Sequence, residues 1–329
     1  MNILITGAGG FIGGSLVRYF HNKGFSIRAV DKKPLPLWCQ LTTGVESLCL
    51  DVSEWENCRR VCEGVEEVYN LAADMGGIGF IEKNRIECLR SILINTNMLE
   101  AAYRAGVGRY FYSSSACVYN TDLQKDPNCR ALKETDAYPA LSERGYGWEK
   151  LLSEMFCQEY WAERGMKPFI ARFHNAYGAL GSWNDGREKA PAAICRKVIE
   201  AKHSGSGQIE IWGDGTQTRS YMYIDDCTYG IDSIVHCDDL IATPINLGSH
   251  ELISVDDLVT LAEEFAGLNL HRVYNLNAPN GVAGRNSDNK MVRRILGWEP
   301  NTPLRVGLKK TYDWIEQQYL AQKQENKLT

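Results

Sequence analysis

Residues 2–6 (NILIT) run directly into Gly7-Ala8-Gly9-Gly10-Phe11-Ile12-Gly13, and a helical stripe of Ile12, Leu16, Val17 and Phe20 starts before the glycines end. A β-prone run, a glycine turn and an amphipathic helix in that order constrain the fold more than any other feature of the chain. Glycines at 7, 10 and 13 allow a tight turn, a close approach of backbone to a pyrophosphate, and close packing of helix on sheet. The helix start offers free N–H groups and the positive end of its dipole to an anion. A glycine pattern alone reads equally as a flexible turn. Here the strand–turn–helix context is complete, and a second strand at 26–30 ends at Asp31, 18 residues beyond Gly13. An acid at that place accepts the ribose hydroxyls and repels a 2′-phosphate, so the expected cofactor is NAD and not NADP. The neighbouring cations Lys32 and Lys33 argue the other way.

Further strand-like runs at 47–50, 67–71, 109–113 and 169–173 alternate with helical stretches. Parallel neighbours need crossover connections, so this alternation predicts an α/β, Rossmann-type, doubly wound parallel sheet. Beyond residue 174 the rhythm changes, and a smaller mixed α/β C-terminal substrate lobe is expected. Glycine, Trp, Asn and charged residues crowd into 178–189, and a helix is predicted at 190–202. A strand at 209–212, a helix at 255–265 and a final helix at 305–322 with a polar tail QENKLT complete the reading. The expected division is 1–173 with a return segment near 219–244 for the nucleotide domain, and 174–218 with 245–329 for the lobe. A length of 329 residues suits two such units.

Lys and Arg number 36 against 41 Asp and Glu, a net charge of −5 that excludes a nucleic-acid coat. The 11 cysteines have no framework spacing. Cys58 and Cys62, one helical turn apart, read as core thiols, and no His pair has zinc-ligand spacing, so no metal is expected. No window approaches the ~20 apolar residues of a membrane span, and the N-terminus carries no basic leader. The expectation is a cytoplasmic protein with no membrane partner.

Tyr146 and Lys150 are four apart in a predicted helix at 143–164 and share a face. A phenol near pKa 10 becomes a usable base when positive charge stabilises its anion. It can then take the proton of an alcohol while hydride leaves the same carbon. Ser113-Ser114-Ser115 closes an apolar strand, where an open α/β sheet presents its ligand crevice and a hydroxyl can hold the substrate oxygen.

Glycine loop, Ser115, Tyr146 and Lys150 together resemble the extended short-chain dehydrogenase/reductase superfamily, the nucleotide-sugar epimerases and dehydratases. The resemblance covers nearly the whole chain. It places Asp51-Val52 at the adenine motif, Asn70-Leu71-Ala72-Ala73 at the cofactor loop and Arg172-Phe173-His174-Asn175-Ala176-Tyr177-Gly178 at the substrate loop. The implied NAD site comprises Gly7, Gly10, Phe11, Ile12, Gly13, Asp31, Asp51, Val52, Leu71, Ala72, Ala73, Tyr146 and Lys150. Five stretches are more particular: the glycine-rich insert 73–81, Ser114-Ser115-Ala116-Cys117-Val118-Tyr119, the run 186–193, the run 212–220 and Gly284-Arg285-Asn286-Ser287-Asp288-Asn289. These resemble the GDP-mannose 3,5-epimerase family. That resemblance implies Ser115, Cys117, Tyr146, Lys150 and Lys189 as catalytic residues, with Cys117 and Lys189 the acid/base pair. It implies Gly77, Ser115, Asn175, Glu188, Lys189, Lys197, Arg219 and Arg285 around a nucleotide-diphosphate sugar, with Arg219 and Arg285 clamping the diphosphate. A homodimer through a helix pair that includes 143–164 is also implied.

Read without the motifs, Cys117 is a core thiol and Lys189 a diphosphate-binding or surface cation. A dehydratase would show Asp-Glu at 116–117 and a sugar-acid decarboxylase a Glu near 117, where this chain has Ala116-Cys117. A 4-epimerase would need only Ser115, Tyr146 and Lys150, and an NAD-sensing scaffold would need none of the three. Two departures from the epimerase pattern stand out: Asn120 where a Pro usually follows the motif tyrosine, and a loop 121–143 with no matching residues. Sugar selection could differ there.

Overall fold

A computed structural model describes residues 1–328. Its centre is a seven-stranded sheet, every neighbouring pair parallel. In chain order the first six strands are β1 (Asn2–Thr6), β2 (Ser26–Asp31), β3 (Glu46–Cys49), β4 (Glu67–Asn70), β5 (Arg109–Ser115) and β6 (Pro168–Phe173), and the seventh is Pro244–Leu247. Across the sheet they run Pro244–Leu247, β6, β5, β4, β1, β2, β3. The NILIT run is apolar at successive positions because both faces of the sheet are covered. Ile3 and Ile5 enter one core with Tyr69, Phe111 and Phe169, while Leu4 enters the other with Val68, Tyr110 and Ile170. Strand order reverses between β1 and β4, which opens a crevice at their carboxyl ends where ligands of such sheets bind.

Helices α1 (Phe11–Asn22), α2 (Trp55–Cys62), α3 (Ile78–Lys83), α4 (Arg85–Arg104) and α5 (Tyr146–Arg164) fill the crossovers. Cys58 and Cys62 are fully buried, free and part of the core under α2. After β6 come α6 (Ala190–Ser204), α7 (Ile224–Val235), which packs on α1 and β6 and so belongs with the central sheet, α8 (Val255–Ala266) and a long last helix, Leu304–Leu328. Three small sheets accompany them, one of them the short parallel pair Ala176–Tyr177 with Met222–Tyr223. Thr218–Ser220 lies between Leu252–Ser254 and Gly284–Arg285, and Gln208–Trp212 pairs with His271–Asn275.

Among the boundaries that differ from the sequence reading, four bear on the site or on the division of the chain. β5 extends to Ser115, two residues past 113. α5 starts at Tyr146 and not at 143, because Gly145 adopts φ +78° and breaks helical continuity. The strand returning to the sheet ends at Leu247, so 245–247 belong to the sheet and not to the lobe. The last helix takes in the QENKL segment that the sequence reading leaves as tail, while Thr329 lies outside the described residues.

The seventh strand also anchors the loop 121–143. Asn246 donates to the carbonyls of Leu132 (2.8 Å) and Asp288 (3.1 Å), tying sheet edge, loop and C-terminal segment at one side chain. The departure at Asn120 has a local reason: its side chain accepts from the Asp122 amide at 2.8 Å and caps the short turn that begins the loop.

Where α7 meets α1, Asp232 accepts from Tyr19 (2.8 Å) and Lys23 (2.5 Å) and faces His236 Nδ1 at 2.9 Å; His236 Nε2 lies 3.2 Å from Glu67. Hydrogen bonds to the two acids raise His236 to about 10, against an ordinary 6.5. A folded-state value raised in this way stabilises the fold fully below about pH 6.5 and ceases to do so as pH rises through about 10. The ring is 40% exposed, so solvent screening leaves about 1 kcal/mol at most. His236→Gln should therefore lower Tm by about 2 °C near pH 5.5 and by nothing measurable above pH ~10.5, read by calorimetry across that range.

Candidate active site

The glycine turn is shaped by contacts that forbid side chains. A Cβ on Gly7, whose φ is +69°, would stand 2.8 Å from Leu71 O and Ala72 N, and one on Gly13 would collide with Gly7 O. α1 therefore starts directly over the β1–β4 crevice. It begins at Phe11 with Gly10 ahead of it and no side chain capping its N–H groups, which leaves them for an anion. Phe11 packs against Gly181, Ile12 is half-buried, and Val52 is buried. Asp31 closes the turn by accepting from Gly9 N and Lys33 N, both at 3.0 Å. Lys32 is held by Asp74 at 2.6 Å, so one of the two cations beside Asp31 is already neutralised. Asp51 accepts from Ser53 N at 2.8 Å, and Leu71 and Ala72 bond back to Thr6, leading Ala73 away from the sheet. A glycine cradle, an uncapped helix start and a strand-end acid fit a dinucleotide.

Past the same sheet edge, β5 delivers Ser115, whose hydroxyl accepts from the Cys117 amide at 3.2 Å and caps the turn Ala116–Val118. α5 is pressed onto that turn so closely that a Cβ at Gly147 would collide with Cys117 O. Tyr146 is the first residue of α5, and its phenol lies near enough to the Ser115 hydroxyl for that group to favour its anion. One turn on, Lys150 Nζ lies 5.5 Å from the Tyr146 ring centre, 4.7 Å from that of Tyr112 and 3.7 Å from Glu149. Burial pushes the Tyr146 phenol well up, Cys117 and Glu149 add to that, and Ser115 pulls it back. The surrounding side chains thus leave a neutral phenol, and further positive charge is needed to draw out its proton.

Cys117 is buried beside Tyr146 and Cys88, with Met75 and Phe80 packed against them. Its Sγ receives Arg285 Nη1 at 3.4 Å. The same guanidinium donates through Nε to Gln124 Oε1 at 2.6 Å and through Nη2 to Glu143 Oε1. Lys189 immediately precedes α6, where burial lowers its ammonium, and its electrostatic neighbours include Cys117 and Arg285. The glycine-rich insert holds that segment: Gly77 N donates to Arg187 O at 3.0 Å, and a Cβ at Gly77 would strike Glu188 O. Glu188 Oε1 accepts from Arg196 at 3.0 Å, while its other oxygen is buried without a partner.

The structure thus brings Ser115, Cys117, Tyr146, Lys150, Lys189 and Arg285 into one neighbourhood. Arg219 stands close to Arg285 and Glu143 but spends its guanidinium on the carbonyls of Thr218 (2.7 Å) and Val282 (2.6 Å). Arg285 lies against the thiol, so its charge is not held free for a diphosphate. Lys197 bonds to Glu210 O at 2.8 Å, and Asn175, at φ +42°, donates to Ser220 O at 3.2 Å. Sequence reasoning missed Glu143 and Gln124, which approach Arg285 from 142 and 161 positions away. It missed Glu149 too, although that residue stands directly before Lys150. Among the described residues no group of His, Cys, Asp and Glu could hold a metal ion.

Residues 3–248 match the family described as NAD dependent epimerase/dehydratase. The chain is 41% identical over 324 residues to GDP-mannose 3,5-epimerase of Arabidopsis thaliana, covering 98% of this chain and 84% of that protein. The chain belongs to the NAD dependent epimerase/dehydratase family. GDP-mannose 3,5-epimerase 1 of Oryza sativa subsp. japonica matches with the same identity and coverage. Among solved structures, UDP-glucose 4-epimerase of Thermotoga maritima superposes with TM-score 0.84 at 23% identity, over 97% of this chain and 100% of the other, a likeness of fold. MoeE5, solved in complex with UDP-glucose and NAD, superposes with TM-score 0.81 at 26% identity over 97% and 100%. Membership makes NAD the cofactor of this enzyme, and the glycine turn with Asp31 is where the family's dinucleotide fits this chain.

Proposed function

We propose that the enzyme inverts carbon centres of GDP-mannose, at C3, C5 or both, to give GDP-L-galactose, GDP-L-gulose or a mixture of the two. The observation that carries this reading is the placement of a buried thiol, Cys117, and a half-buried amine, Lys189, beside the Ser115–Tyr146–Lys150 set. The 41% identity to plant GDP-mannose 3,5-epimerases supports it along nearly the whole chain. When bound, NAD supplies the means to oxidise a carbinol carbon and reduce it again within one turnover. Ser115 and Tyr146 hold the C4 hydroxyl, and Tyr146 accepts its proton. With C4 a ketone, the C–H bonds at C3 and C5 become acidic. Inversion then takes a proton from one face and returns one to the other, which requires two proton carriers; Cys117 and Lys189 are suited by chemistry and position. Arg219, Lys197 and Asn175 lie in the lobe from which the diphosphate would be held.

Proton NMR of GDP-mannose with the NAD-loaded enzyme in D₂O tests the assignment. Deuterium at C3 and C5 with new L-galactose or L-gulose signals is the expected result, and deuterium at C5 alone would confine the enzyme to one inversion. Absence of exchange and of any new sugar would overturn the substrate, while inversion at C4 without exchange would make the enzyme a 4-epimerase.

We also propose a cytosolic homodimer. The 11 cysteines are free, and among the described residues no helix is long and apolar enough to cross a membrane. Ile86, Leu89 and Leu93 on α4, with Trp148, Leu152 and Met155 on α5, expose an apolar face across the two packed helices. Side chains of that kind in one patch favour burial against a second copy. Sedimentation should give twice the chain mass, and Leu152→Glu should shift it to one chain.

A further inference from the structure

The residues around Cys117 are arranged more elaborately than a buried thiol requires. Arg285 reaches the sulfur with one nitrogen and is pinned by the other two, on Gln124 and on Glu143. Glu143 is itself fixed to the same turn, its backbone N–H donating to Cys117 O at 3.1 Å. Both acceptors come from the loop 121–143, and Glu143 is free to turn inward because α5 starts only after Gly145. Arginine is present, but its charge is shared with an acid before the sulfur feels it.

We propose that Glu143 is a positioning residue for Cys117: it holds the Arg285 guanidinium against the sulfur and offsets its charge, so that Cys117 meets the sugar as a protonated thiol. The charged and titratable groups that act on Cys117 and its partners are Glu143 and Arg285, with Lys189 from the start of α6, Tyr146 from α5, Cys88 from α4 and Arg219 from the strand Thr218–Ser220. Burial raises the thiol and Glu143 adds to it, while Arg285 and Ser115 pull the other way without overcoming them. Glu143 is itself lowered, because Arg285 outweighs the cost of burying it, so it is a carboxylate at neutral pH. Lys189 is shifted in the direction of a neutral amine by burial. A protonated thiol and a neutral amine form a proton donor and a proton acceptor for a carbon acid. With Glu143 neutral, Arg285 would act on the sulfur undivided and favour the thiolate.

The inference rests on reading Cys117 as a proton carrier, but its test reads the sulfur directly and needs no sugar. Iodoacetamide alkylation of the NAD-loaded enzyme, followed at the Cys117 peptide by mass spectrometry from about pH 6 to 11, gives the thiol's titration midpoint. Glu143→Gln should move that midpoint down by about one pH unit and speed alkylation near pH 7 about tenfold. An unmoved midpoint in soluble Glu143→Gln would overturn the proposal. Should that variant yield no soluble protein, the unmodified enzyme decides: a midpoint above the ordinary cysteine value of about 8.5 supports the role, and one at or below it removes the role. Failure here would leave the GDP-mannose assignment standing, because exchange in D₂O is measured separately.

Discussion

Cys117→Ala should stop the exchange of carbon-bound hydrogen while carbinol oxidation continues. Ser115, Tyr146 and Lys150 do not depend on the sulfur for their positions: Ser115 is held at the end of β5 and Lys150 one turn into α5. With GDP-mannose, the variant should therefore still reduce its cofactor, visible as nicotinamide absorbance. Deuterium uptake from D₂O at the carbon served by the thiol should fall by a factor on the order of 10²–10⁴, the usual contribution of one positioned acid or base. Lys189→Met should give the complementary loss. Epimerisation that survives both substitutions would return the two residues to a core thiol and a phosphate-facing cation, and would favour C4 chemistry alone.

Tyr146→Phe should have the opposite signature. The ring is buried and its removal would open the core, but Phe keeps the ring and deletes only the hydroxyl near Ser115. Cofactor reduction and deuterium exchange should both drop by roughly 10²–10⁴-fold, since no ketone forms without an acceptor for the C4 proton. NAD binding and Tm should change little, because the glycine turn and Asp31 lie on other elements. A variant that still reduces its cofactor at the parent rate would place the proton acceptor elsewhere. Comparing the two substitutions separates the oxidation site from the inversion site on one protein.

The sheet was legible because its signals are local. An apolar run, a glycine turn and a helical stripe occupy the first 22 residues, and Tyr146 and Lys150 meet at helical spacing. Ser115 is legible as a hydroxyl closing an apolar strand, but Cys117 and Lys189 rest on resemblance, since nothing in the spacing of a thiol and a lysine 72 positions apart says that they meet. What stayed hidden is the ionic partnership around the sulfur. Glu143 reads as the first acidic residue of an amphipathic helix until Gly145 is seen to break that helix, and Arg285 reads as a phosphate ligand until Gln124 and Glu143 are seen to occupy it. Contacts across more than 140 residues leave no periodic trace in a single chain. The loop 121–143, least like the plant pattern, supplies both missed partners.

The route of the chain around Asn246 bears on how such an enzyme could be divided. A polypeptide ending at Leu247 would contain every strand of the parallel sheet, along with the glycine turn, Ser115, Tyr146 and Lys150. It would lack Arg285 and also the Ala283–Asp288 stretch, whose backbone pairs with Gln124 and Leu132 and holds the loop in place. Such a fragment would keep the means to oxidise an alcohol, and Cys117 and Lys189 with it, but lose the guanidinium that Glu143 sets against the sulfur. The setting of the thiol is thus completed by a stretch of chain outside the sheet, and changes downstream of Leu247 can alter how the sulfur is held without touching the oxidation site.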